Sequence, residues 1–299
     1  MPPPSRWFAF NNKLQCGLIP RMNIMEATTN YRHVFFTRFN LPIELSGKTS
    51  TKVLEDDWLS QRIQLFGRYC YPGVARQSCS EFTWFVLFHP ETPNWVFQSM
   101  MDFEKAHCIR AKDTSTETLV RIVEEHVQPS EWLLSTRLDN DDAIHRDFVA
   151  NLRSSIVEDS MKFYNFPVGY TMHQSRVYRR TYSCNPFISL FEPRKDAKLV
   201  YCTSHEMAFR VAPVVNMSAS AMWIQIIHGG NVANKMSGIR IARPELTDFQ
   251  LQKNEDLTTE SRVAFLADYC SSRLISAAKS AGSAVGLKWM LRQIAGKAK

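Results

Sequence analysis

The stretch LLSTRLDNDDAIHRDF, residues 133–148, sets Asp139, Asp141, Asp142 and Asp147 within nine positions, directly after an apolar run. Crowded carboxylates repel one another, and a buried carboxylate without a partner is costly, so a cation is the simplest reason to keep them together. Asp139 and Asp141 are separated by one residue, which points two side chains to the same side at the end of an extended segment. Oxygen ligands of this kind suit Mg²⁺ or Mn²⁺. Mg²⁺ takes one or two carboxylates and fills the rest of its shell with water and substrate phosphates. The spacing alone is weakly specific, because a solvated loop that caps the next helix with acidic residues has the same pattern. An EF-hand loop is excluded, since Ala143 and Ile144 stand where it needs an oxygen ligand and a glycine.

These aspartates need elements to hold them. RHVFFTRFNLP (32–42) reads as a first buried strand with its exit loop. DDWLSQRIQLFGRYC (56–70) reads as a helix, with acidic residues at its start and Gly67 near its end. FTWFVLFHPETP (82–93) is a second strand stopped by prolines, and NWVFQSMMDFEKA (94–106) a helix opening on an asparagine. HCIRAK (107–112) is a short third strand, STETLVRIVEEHV (115–127) an amphipathic helix, EWLLSTRLD (131–139) a fourth strand and IHRDFVANLRSSIVE (144–158) another helix. Alternating strands and helices predict an α/β fold with a mostly parallel sheet flanked by helices. Ligands gather at the carboxyl ends of such strands, and the acidic cluster stands at one. After residue 160 shorter strands joined by turns predict a mixed second half, and from about 258 the chain turns helical.

The chain has 299 residues, enough for one large domain or a domain with an appendage. Its 36 Lys and Arg against 29 Asp and Glu give a net charge of +7, which fits a phosphate-bearing partner or a membrane surface, with plain solubility as the equal alternative. Seven cysteines with no CxxC pair predict free thiols in a reducing compartment, hence a cytoplasmic protein. Neither a membrane-spanning apolar run nor a signal peptide is expected.

A resemblance is carried by five blocks in order, VFFTRFNLP, WLSQRIQLF, YCYPGVARQ, WFVLFHPETP and STRLDNDDAIHRDFV, with MWIQIIHGGN (222–231) as a later one. Together they resemble the rhamnosyltransferase family of bacterial GT-A-like glycosyltransferases, over roughly residues 32–150. One departure is Gly73, where a small polar residue is expected. A haloacid-dehalogenase-type phosphatase motif is also similar, but Ala143 stands at its threonine and three candidate strands precede the aspartates. The family resemblance implies a GT-A-like domain over 32–257, between an arm (1–31) and a helical tail (258–299). It implies that Asp-x-Asp binds a divalent cation, Mn²⁺ or Mg²⁺, and the diphosphate of a nucleotide-sugar. The sugar would pass to a glycan or lipid-linked acceptor.

On that reading Asp141 is the direct metal ligand, and Asp139 meets the metal or the ribose. Asp142 either orients the donor sugar as a catalytic residue or caps the following helix. Arg137, two residues before Asp139, faces the same side and meets an aspartate or a diphosphate oxygen. Thr37, Arg38 and Asn40, at the end of the first strand, are candidates for base or ribose contacts, with loop packing as the alternative. Arg62 lies within an apolar helix face and is either satisfied internally or reaches a phosphate; Gln77 is a weaker candidate of that sort. His228, before two glycines, either completes the metal shell with Asn231 beside it or is structural. For the base that deprotonates the acceptor the candidates are Glu192 and the pair His205–Glu206, and a retaining enzyme needs none of them.

Two other classes remain open: a metal-dependent phosphoester hydrolase using the same carboxylates, and a non-enzymatic module for polyanions or membranes. A nucleic-acid partner is not expected. The tail aligns Leu287, Met290, Leu291 and Ile294 as one helical stripe beside Lys288 and Arg292, a pattern for an anionic membrane surface or for packing on the catalytic domain.

Overall fold

A computed structural model describes residues 30–42, 44–45, 48–49, 51–174, 176–228, 236–251 and 261–278. Residues 1–29 of the expected arm (1–31), Asn231 and the tail stripe (Leu287–Ile294) lie outside the described residues, and Tyr31 already belongs to the first strand. The strands are β1 (Tyr31–Arg38), the small hairpin β2 (Glu44–Leu45) and β3 (Lys48–Thr49), β4 (Thr83–Phe88), β5 (His107–Arg110), β6 (Trp132–Asp139) and β7 (Ala143–Ile144). They continue as β8 (Lys162–Asn165), β9 (Val168–His173), β10 (Arg176–Thr181), β11 (Ser189–Pro193), β12 (Val214–Asn216), β13 (Trp223–Ile227) and β14 (Ile239–Arg240). The helices are α1 (Asp56–Leu65), α2 (Tyr71–Ala75), α3 (Asn94–Met100), α4 (Thr116–His126), α5 (Phe148–Ser155) and α6 (262–278).

Seven strands form the central sheet in the order β12-β8-β11-β6-β1-β4-β5. β6, β1, β4 and β5 run parallel, and β11 enters antiparallel to both β6 and β8. The result is an α/β fold with a mostly parallel sheet flanked by helices, as expected. Its inner strands are apolar on both faces because both are covered. Val34 and Phe36 of β1 pack toward Leu119, Ile122 and Val123 of α4, while Phe35 joins Phe66, Trp84 and Phe148 on the opposite side.

A second sheet, β14-β10-β9-β13-β7, holds the mixed half. Its innermost contact is tight: a Cβ added to Gly169 would lie 2.1 Å from the Trp223 indole. α6 closes on its edge, where Tyr178 Oη donates to Asp268 at 2.7 Å and Arg240 N donates to Ser272 Oγ at 3.0 Å.

Two boundaries differ from the sequence reading. The helix expected over 56–70 does not end at Cys70 but passes through a π-helical turn, Phe66–Cys70, into α2. The bare Gly67 Cα is what lets the Phe103 ring approach. The helix expected from 144 begins at Phe148, because Ala143 and Ile144 are drawn into a ladder with Trp223 and Ile224. Gly73 is explained by the same strand: a Cβ there would meet the Ile144 carbonyl oxygen at 2.7 Å. Among the described residues no helix is long and apolar enough to cross a membrane, and the described cysteines are free.

Candidate active site

β1 and β6 are adjacent and parallel, so their carboxyl ends arrive together with Arg38 directly opposite Asp139. Arg38 Nη2 lies 3.5 Å from Asp139 Oδ1, and Arg137 Nη2 lies 3.3 Å from Oδ2. Arg137 and Asp139 are two apart on β6, which puts them on one side of the strand. Burial alone would raise the Asp139 carboxyl; the guanidinium groups of Arg137 and Arg38 outweigh it and hold the pKa down at about 2. Both guanidinium groups also lie over the Tyr201 ring, at 5.1 and 5.3 Å from its centroid.

Beyond the strand end Asn140 and Asp141 meet Arg62 of α1. Arg62 Nη1 donates to Asp141 Oδ2 at 2.7 Å and to Asn140 Oδ1 at 3.1 Å, while its guanidinium stacks over Trp58. Asn140 Nδ2 in turn donates to the Phe39 carbonyl, which fastens the β6 exit to the β1 exit. His228 arrives from the end of β13, its Nε2 2.8 Å from the same Asp141 oxygen. Asp142 is fully buried and accepts from Ile226 N at 2.8 Å, two residues before His228. It does not cap α5; its Oδ1 ties β6 to the strand that delivers His228. Burial, with Asp141 and Asp139 adding to it, pushes its carboxyl well above the usual range.

Several expected contacts are not brought together. Thr37 points into the core, where its Oγ1 accepts from Trp84 Nε1 at 2.9 Å, because the pleat that turns Arg38 toward Asp139 turns its neighbour away. Asn40 is used up as a joint: its Nδ2 donates to the Val53 carbonyl at 3.1 Å and to Thr92 at 2.9 Å, and its Oδ1 accepts from His89 N. Gln77 caps α5, accepting from Val149 N at 2.9 Å and donating to the His145 carbonyl at 2.8 Å. Glu192 pairs in register with Leu133, near the opposite end of β6 from Asp139, and accepts from Lys198 N at 2.9 Å and Leu199 N at 2.7 Å. It holds a turn together and is removed from the candidates for acceptor base.

His205 is placed differently. Its Nδ1 lies 2.6 Å from the Cys184 carbonyl, which can only accept, so Nδ1 carries the proton and Nε2 is the basic nitrogen. Burial lowers its pKa, Arg137 adds to that effect, and the ring stays neutral near pH 7. Among the described residues no three His, Cys, Asp or Glu side chains stand close enough to cage a metal. The triplet Asp139, Asp141 and His228 is therefore split: Asp141 and His228 converge, while Asp139 is engaged by the two arginines.

A profile of the family described as "Putative rhamnosyl transferase" matches residues 32–240. The chain belongs to this family and is a glycosyltransferase. No curated protein matches it. Solved structures similar to this family member include 4-diphosphocytidyl-2C-methyl-D-erythritol synthase from Anaerococcus prevotii, at 10% identity over 62% of this chain and 87% of that one, with a TM-score of 0.35. Residues 1–349 of TarS from S. aureus match at 9% identity over 65% and 60%, TM-score 0.37. A protein described as "putative nucleotide-diphospho-sugar transferase" from Desulfovibrio desulfuricans matches at 7% identity over 66% and 80%, TM-score 0.33. Likenesses this distant add nothing to the assignment of the site.

Sequence reasoning misses Tyr201, Trp58 and Asn140. Asn140 stands inside the motif, where the spacing rule treats it as a mere spacer; the other two are aromatic residues whose link to an arginine exists only in three dimensions.

Proposed function

We propose that this rhamnosyltransferase-family chain is a metal-dependent glycosyltransferase that moves a sugar from a nucleotide-sugar to a glycan or lipid-linked acceptor. The observation that carries the reading is the meeting of Arg38, Arg137 and Asp139 at two parallel strand ends, next to Asp141 held by Arg62 and His228. Asp141 and His228 stand in direct contact, His228 Nε2 2.8 Å from Asp141 Oδ2, and a carboxylate and an imidazole are donor types that suit Mn²⁺ or Mg²⁺ when a diphosphate and water complete the shell. The bound ion would stabilise charge on the leaving diphosphate.

The chain's own residues do the rest. Arg62 fixes the direction of Asp141, and Asn140 fixes the loop that carries both. Arg38 and Arg137, weakly hydrated and forked, would share their donors between Asp139 and a phosphate or ribose oxygen. His205, neutral with its basic nitrogen at Nε2, is the group best prepared to take the acceptor proton. The basic, apolar tail beyond residue 278 is proposed to rest on an anionic membrane surface on the cytoplasmic side.

Isothermal titration with UDP and dTDP, with and without Mn²⁺, tests the reading. Metal-dependent binding is expected in the wild type and is lost in Asp141→Asn with the fold intact. Binding that ignores Mn²⁺, or an Asp141→Asn enzyme with wild-type turnover, overturns the role of the ion.

A further inference from the structure

The helix α6 (262–278) docks by its polar side. Asp268 accepts from Tyr178 Oη at 2.7 Å and lies 3.3 Å from Arg240 Nε, and Ser272 Oγ accepts from Arg240 N at 3.0 Å. The Phe265 ring lies against the same arginine, 5.3 Å from its guanidinium. The opposite side is apolar. Val263, Leu266, Cys270 and Leu274 follow i, i+3, i+7 and i+11, a spacing that lines them up along one face. Val263 is 78% exposed, Leu266 56% and Leu274 72%, with Cys270 exposed between them. Ile275, at the edge of the line, is 56% exposed. A surface helix ordinarily arranges its two faces the other way round. Exposed apolar side chains scattered singly need no explanation, but a continuous line of them marks a contact surface.

The charges select the occupant. α6 carries Arg262, Asp268 and Arg273, and the acid is turned inward to Arg240. Arg262 and Arg273, eleven positions apart, fall on one flank of the apolar line, and both are exposed. Glu255, Asp256 and Glu260 precede the helix, whereas from Tyr269 to Lys299 there is no acidic residue. Lys279, Lys288, Arg292, Lys297 and Lys299 follow. Positive charge therefore accumulates toward the C-terminal half of α6, where Leu274 and Ile275 are exposed. A second copy of this helix would bring no acid to meet the arginines. An anionic phospholipid surface complements both features, taking the apolar side chains at its headgroup boundary and the arginines at its phosphates.

We propose that the outer face of α6 is a membrane-docking surface, seated on an anionic phospholipid bilayer together with the tail that follows it. The inference deepens the membrane contact proposed for the tail and rests on it. Stable peripheral binding takes two signals; α6 supplies the apolar line, and the residues beyond it supply most of the charge. The seat also sets an orientation. α6 is fastened to β10 through Tyr178 and to β14 through Arg240, so the β14 edge of the second sheet is the side turned to the bilayer.

Vesicle flotation of the full-length chain tests the proposal, with equal parts phosphatidylglycerol and phosphatidylcholine set against phosphatidylcholine alone. The wild type should bind the anionic vesicles and not the neutral ones. Leu266→Ser with Leu274→Ser, a pair at exposed positions that changes no charge, should weaken binding by about tenfold or more at an unchanged melting temperature. Arg262→Gln with Arg273→Gln should also weaken it and reduce its salt dependence, and this pair decides the matter if the serine pair fails to fold. Met101→Ser removes a side chain that is 76% exposed beyond α3 and should bind as the wild type does. Wild-type binding that survives either pair, or that is lost equally in the Met101 control, overturns the role of α6 and leaves the tail as the anchor. Equal binding to neutral vesicles, or a wild-type dimer that the serine pair dissociates in the absence of vesicle binding, overturns the choice of occupant. A wild type that binds no vesicles overturns the membrane contact of helix and tail alike.

Discussion

Lowering the pH from 7 to 5 should weaken the fold through His33. It lies on β1 and is buried, with Nε2 2.8 Å from Thr136 Oγ1, which is in turn 2.7 Å from Ser189 Oγ on the far side of β6. Burial, reinforced by the positive charge of Arg153, pushes its pKa down to about 3. An unfolded histidine titrates near 6.5. Because the folded value is the lower one, the unfolded chain binds the extra proton between those two values. Stability therefore falls as the pH drops through 6.5 and stops falling below about 3. Between pH 7 and 5 the unfolded imidazole goes from about one-quarter protonated to nearly full while the folded one stays neutral, a loss of about 2 kcal/mol. Urea unfolding followed by tryptophan fluorescence at both pH values measures it, with His33→Gln as the reference that keeps a polar group toward Thr136 but does not titrate. The wild type should lose about 2 kcal/mol more than the variant over this interval. An equal loss in both proteins refutes the assignment of a neutral, proton-excluding site to His33.

Glu192→Gln should cost about 1–3 kcal/mol of stability, since two backbone donors lose a charged acceptor, and leave kcat of the folded fraction unchanged. A collapse of kcat at unchanged melting temperature would return Glu192 to the active site. Gly169→Ala should lower the melting temperature, because its methyl group would lie within the Trp223 indole and overpacking of this kind costs about 1–3 kcal/mol or more; a wild-type melting curve contradicts the packing described. Full-length protein should co-sediment with anionic vesicles, and a chain ending at residue 278, after the helix that docks on Arg240, should not. Equal sedimentation of the two removes the membrane from the proposal.

Much of the site is legible in the sequence itself. A strand followed by Asp-Asn-Asp-Asp, an arginine two residues upstream and an arginine at the end of the first strand are local facts. Period-two alternation and the rule that parallel sheets collect ligands at their carboxyl ends turn them into a place. Arg38, Arg137 and Asp139 meet for that reason. The order of strands and helices likewise follows from apolar periodicity, which is a property of short windows.

Tertiary structure decided what each polar side chain is for. Asn40, Gln77, Asp142 and Glu192 carry the same chemical groups as a ligand site, yet Asn40, Gln77 and Glu192 are consumed by backbone amides or carbonyls contributed by other segments, and one oxygen of Asp142 is held by a backbone amide. A hydrogen bond depends on where its partner lies, and those partners sit 13, 72, 84 and 7 residues away in the chain. Ala143 and Ile144 became a strand because β13 offered them a ladder, and Gly73 became necessary because that ladder then occupied the space of its side chain. The residue types are written in the sequence; which of them remain available to a substrate depends on which buried backbone groups required a partner first.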